Sequence, residues 1–131
     1  MDLEKHHPPF RIRAVVEWDY YDGIETGFLA LVEPRVVLHI RRLAHRPYVW
    51  LYIAWLLPDS LYDEIAAMGE PCPNPVIRYF SLSHPAEDGR FEEIVAAAAT
   101  DTRFLLEVDL AANVVASAYR VERDWVEKPS L

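Results

Sequence analysis

The chain has 131 residues, 13 Lys+Arg against 21 Asp+Glu, and a formal net charge of −8. That length is usual for one domain and buries a core without disulfides or a structural metal; 52% hydrophobic residues exclude a disordered segment. An acidic balance, with a pI of about 5.0, argues against nucleic acid as partner, because displacing counterions from phosphates needs a concentrated cationic surface.

The charge is uneven. Residues 1–57 hold seven bases and seven acids, net zero, whereas residues 58–131 hold six bases and fourteen acids, net −8. The acidic part would steer a basic partner toward it, or serve solubility alone. Cys72 is the one cysteine, so an intrachain disulfide and a multi-cysteine zinc site are excluded and a reducing compartment fits. The start, MDLEKHHPP, lacks the apolar stretch of a signal peptide. The longest apolar run, Tyr48 to Leu57, is ten residues, against about 20 for a membrane helix. The expectation is a cytoplasmic protein without membrane contact. Eleven Arg against two Lys, with no Gln, suggest a GC-rich bacterial genome.

Residues 1–9 read as a flexible start, residues 10–125 as a single domain and residues 126–131 as a tail. Phe10 to Tyr21 alternates with period two, the pattern of a half-buried strand: Phe10, Ile12, Ala14, Val16, Trp18 and Tyr20 take one face. Asp22-Gly23 suits a two-residue hairpin turn, and Ile24 to Val32 then returns antiparallel. That turn predicts Trp18 opposite Gly27, Val16 opposite Leu29 and Ala14 opposite Leu31; a one-residue slip would change every neighbour. Glu33-Pro34 interrupts pairing. Val36 to Leu43 is a third predicted strand, and Tyr48 to Leu57 a fourth, apolar on both faces.

Pro58 to Met68 changes to helical spacing, with Leu61, Ile65 and Met68 on one side. Ser60 and Asp63 resemble a capping box, and Gly69 a C-terminal cap. Pro71 to Pro75 is a rigid loop and Val76 to Ser83 a further strand. Arg90 to Ala99 predicts a second helix. Arg103 to Asp109 and Val114 to Val121 form a closing hairpin around Leu110 to Asn113. The order predicts an α+β domain: a largely antiparallel sheet of about six to seven strands with two helices packed on one face.

No motif fixes an activity. The four glycines, at 23, 27, 69 and 89, form no G-x-G, so neither a dinucleotide fingerprint nor a P-loop is present. Adjacent His6 and His7 point apart on an extended chain, and no metal or cofactor is expected. Glu17 and Asp19, two apart on one strand face, are a carboxylate pair of the kind that divides acid and base roles. His39, mid-strand, is the third candidate catalytic residue. A solvated sheet face accounts for all three better than catalysis does. Cys72, between two prolines, lacks the cation or helix N-terminus that activates a thiolate.

Tyr48, Trp50 and Tyr52 share one face of the fourth strand. A sheet covered on one side leaves that face open, so it is either core or an interface to a second copy or another protein. The leading functional expectation is a protein-binding or accessory domain, homodimeric through this aromatic face, rather than an enzyme. The alternative is a small enzyme or small-ligand binder with a pocket between sheet and helices.

Overall fold

The computed structural model describes residues 3–20, 24–46, 49–74, 76–82, 93, 96 and 102–121. Its strands are β1 (Phe10–Tyr20), β2 (Ile24–Leu31), β3 (Val37–Arg46), β4 (Val49–Leu57), β5 (Glu70–Pro71), β6 (Arg78–Ser81), β7 (Arg103–Asp109) and β8 (Val114–Val121). Helix α1 (Tyr62–Ala67) follows a 3-10 turn at Asp59–Leu61. Among the described residues no helix is long and apolar enough to cross a membrane.

Alternating strands must bury one face, and here they do so on themselves. The order β1-β2-β3-β4-β7-β8 returns to β1, antiparallel throughout, which closes a six-stranded barrel. The closing pair is short: β8 meets β1 at Phe10 and Arg11. Further along the same edge of β1, β6 pairs in parallel from Ala14 to Glu17, and β5 pairs with β6. The expected α+β sheet under two helices is therefore incorrect. Of the predicted helix at Arg90 to Ala99, Glu93 and Ala96 are described and helical, and the rest lies outside the described residues. Closure is favoured because a sheet joined to itself leaves few unpaired edge groups. Breaks of register at residues 12–14 and 17–20 of β1, 42–44 of β3 and 107–108 of β7 supply the extra twist that closure needs.

All six barrel strands contribute to one interior cluster, including Ile12, Leu29, Leu38, Tyr52, Leu106 and Val115. A second cluster lies outside the wall, where Tyr62, Ile65 and Ala66 of α1 cover Ala14, Val16, Phe28, Ala30, Val37 and Leu57. Strand β4 is buried on both sides: Tyr52 and Ala54 face inward, while Ile53 and Leu57 on the other side are 1% and 2% exposed.

The break at Arg13 decides which β1 residues enter the barrel. Phe10, Ile12 and Val15 face in, and Ala14 and Val16 face α1. The single alternation predicted for this strand is thus interrupted, and the pairing shifts by one. Glu17, not Trp18, opposes Gly27, Val16 opposes Phe28, Val15 opposes Leu29 and Ala14 opposes Ala30. Gly27 is required by close approach: a Cβ there would lie 2.5 Å from the Val16 carbonyl oxygen. The Asp22-Gly23 turn lies outside the described residues.

The predicted Ser60 capping box does not form, since neither helical segment has a side-chain cap and the Leu61 N–H bonds back to Pro58 at 3.1 Å. Gly69 serves close packing, its would-be Cβ lying 2.9 Å from Phe80 Cβ. The β7–β8 turn matches the sequence expectation. Asp109 Oδ1 accepts from the Ala112 N–H at 3.0 Å, and Asn113 takes φ 56°, a left-handed conformation asparagine tolerates.

Candidate functional site

The break at Arg13 also aims its side chain. The guanidinium lies along the outer wall, donates from Nε to the Leu31 carbonyl at 2.9 Å and stacks 4.5 Å above the Tyr62 ring. Its Nη2 pairs with Asp59 Oδ1. Arg35, on the β2–β3 connection, reaches Asp59 Oδ2 at 3.3 Å. One carboxylate at the start of the helical segment thus joins two arginines from different parts of the wall. Asp59 is partly exposed, so this ion pair is solvent-screened and contributes modestly to stability.

Beside this cluster opens a cleft of about 510 Å³ between α1, β1 and the segment entering β6. Arg13, Arg35, Arg78, Tyr62, Asp63, Asn74, Val76 and Ile77 line it with Ala14. Asn74 shapes the rim, its Oδ1 accepting from the N–H groups of Val76 and Ile77 at 3.0 and 3.1 Å. That turn leaves Val76 72% exposed. Among the described residues Arg78 has no ion-pair partner. Below Arg13, Tyr62 is 9% exposed, and its hydroxyl is buried without a hydrogen-bond partner among the described residues.

The residues singled out from the sequence lie elsewhere. Glu17 faces away from α1; its carboxylate accepts hydrogen bonds from Tyr79 and Ser81. Burial pushes its pKa up, and those two hydrogen bonds pull it part of the way back. A register break separates Glu17 from Asp19, so the alternation that would set them side by side is lost; the Asp19 side chain lies outside the described residues. His39 is on the opposite face of the wall, paired with Phe28 and stacked 5.5 Å from the Trp55 ring. Its Nδ1–H donates to the Gly27 carbonyl at 3.1 Å. Burial among these rings lowers its pKa to about 4; the Gly27 bond opposes that shift and the Arg41 charge adds to it. Glu17 and His39 therefore do not share a cleft.

The aromatic residues of β4 divide as well. Tyr52 is fully buried inside the barrel, its hydroxyl donating to the Ile24 carbonyl at 2.6 Å. Trp50 is half-buried against the same interior cluster, with the Arg42 guanidinium 4.8 Å from its ring centroid. Tyr48 lies outside the described residues. His6 and His7 line a cleft of about 310 Å³ with Arg11 and Glu33. Among the described residues no group of three or more His, Cys, Asp or Glu could hold a metal ion.

Sequence reading missed the arginine cleft because Arg13, Arg35, Asp59, Tyr62 and Arg78 are scattered over the chain and share no local pattern. No family model, curated protein or solved structure matches the chain.

Proposed function

We propose that this protein is a small-ligand-binding domain of the cytoplasm that holds its ligand in the cleft between α1 and the barrel wall. The observation that supports this reading is the cleft itself: about 510 Å³, within the size range of small-molecule sites. It combines Arg78, a guanidinium without an ion-pair partner among the described residues, with the apolar side chains of Val76 and Ile77. Binding rather than catalysis is proposed because the ionisable groups along the cleft are chiefly guanidiniums, which do not exchange protons near neutral pH.

A protein partner, or a second copy of this chain, is the other reading. Tyr52 would not serve it, being fully buried inside the barrel, and Trp50 is half-buried against the interior cluster. Tyr119 on β8, 62% exposed, is the large side chain that favours it.

Screening charged and uncharged metabolites by thermal shift tests the cleft, with Val76→Trp as the blocked form. Val76 lines the cleft and is 72% exposed, so the larger ring should obstruct the cleft without entering either core. Ligands that stabilise the wild type and not Val76→Trp are expected. Hits that stabilise both equally would place binding elsewhere and remove this reading.

A further inference from the structure

We infer that the ligand is a small phosphomonoester whose phosphate sits among Arg78, Arg35 and the free edge of Arg13. This inference rests on the cleft reading above and gives its ligand a chemical class. Three arginines from three separate elements, β1, the β2–β3 connection and β6, line one cleft on a chain of net charge −8. Among the described lining residues Asp63 is the one carboxylate, and Asp59 pairs with Arg13 and Arg35. With both carboxylates counted against the three arginines, the described residues of the cleft carry a positive balance.

Asp59 already shows that two of these guanidiniums take one oxyanion between them, Oδ1 on Arg13 and Oδ2 on Arg35. Each guanidinium carries five N–H donors. Arg13 commits Nε to Leu31 and Nη2 to Asp59, which leaves further N–H donors uncommitted among the described residues. Arg78 commits none to a carboxylate among the described residues. Cations approaching from three elements suit a tetrahedral dianion better than a planar carboxylate, which two satisfy. The cleft is also far larger than a phosphate ion, and Val76 and Ile77 offer an apolar wall to an organic remainder. A phosphate ester fits both halves of the site; free phosphate fits one.

The test uses phenyl phosphate, inorganic phosphate, phenylacetate and benzyl alcohol as probes, titrated calorimetrically into the intact chain at matched ionic strength. Phenyl phosphate should bind more tightly than any of the other three. Arg78→Gln should weaken it about tenfold, the loss expected for one charge-assisted hydrogen-bonded pair. Asp59→Asn should tighten it several-fold by releasing Arg13 and Arg35 from their internal anion. Should Asp59→Asn not fold, Arg78→Gln decides alone, since that side chain is exposed and makes no ion pair among the described residues. Phenyl phosphate binding that is absent, or unchanged in Arg78→Gln, overturns the inference. Preferred binding of phenylacetate or benzyl alcohol, blocked by Val76→Trp, also overturns it while leaving the cleft as a ligand site. If no probe binds and the metabolite screen finds no ligand sensitive to Val76→Trp, both fall together.

Discussion

The barrel interior and the layer outside it under α1 are both apolar, yet they treat their polar groups and their packing differently. Inside, Phe104, Leu106, Val108 and Tyr52 are all fully buried, and the Tyr52 hydroxyl is satisfied by Ile24. Outside, α1 is six residues long and rests on small side chains, Ala14 and Ala30. A gap too narrow for water runs beneath it, lined by Val16, Phe28, Tyr62 and Ile65 among others. Its tyrosine hydroxyl has no partner. The interior is therefore the part that holds the fold, and the outer layer is where a cleft can exist without weakening it.

Truncating one large side chain in each region tests this division most directly. Phe104→Ala removes a ring at the centre of the barrel and should cost about 3–5 kcal/mol. Ile65→Ala should cost about 2 kcal/mol, because a short helix over a loosely filled gap can settle into the space left. Urea unfolding at constant slope measures both. Equal losses would mean that the outer layer is as tightly built as the interior.

A second contrast separates the two sides of the barrel wall by pH. The folded pKa of His39 is about 4, below the ordinary 6.5, because of burial among aromatic rings. The unfolded chain then binds the extra proton, so stability falls as pH drops from about 6.5 to 4. The full effect is about 3 kcal/mol, an upper bound from the size of the shift. Glu17 carries the opposite sign: its folded pKa is raised by burial, so its penalty grows as pH rises through that value and vanishes in acid. Unfolding curves across this window should lose most of their acid dependence in His39→Gln. An unaltered profile in that variant would show that the ring is solvated and that the wall is not sealed by Phe28 and Trp55.

Much of this architecture is readable from residue order, for a physical reason. Strand alternation and turn chemistry are local, and the ends of β7 and β8, with Asn113 between them, fall where those patterns place them. Closure is not local. The inward face of β4, Tyr52 and Ala54, looks the same in a barrel as in a flat sheet covered on both sides. The break at Arg13 was hidden for a related cause. Phe10, Ile12, Ala14 and Val16 continue an unbroken apolar alternation, and the register break between Ile12 and Ala14 turns the second half outward, toward the cluster of Tyr62. The cleft depends on that break, since an uninterrupted strand would aim position 13 differently. Glu17 stood out by its spacing from Asp19 and His39 by residue type, and neither signal can tell that they face opposite sides of one wall.

The smallest effect gives the cleanest comparison, because it changes one oxygen atom in each region. Tyr52→Phe leaves the interior shape intact but removes the donor to the Ile24 carbonyl, which should cost about 1 kcal/mol. Tyr62→Phe removes a buried hydroxyl that has no partner. The wild type already bears the desolvation of that oxygen, so the substitution should be neutral or stabilise by up to about 1 kcal/mol. The two variants should thus move the thermal midpoint in opposite directions, or one down and the other not at all. Arg13 should still stack on the ring, since the attraction of a guanidinium to an aromatic face needs no hydroxyl. If Tyr62→Phe instead lowers the midpoint as much as Tyr52→Phe, then the hydroxyl is bonded in solution, and water reaches beneath the cleft floor. The outer layer would then be a hydrated seam, and a ligand entering the cleft would have that water to displace before it met the arginines.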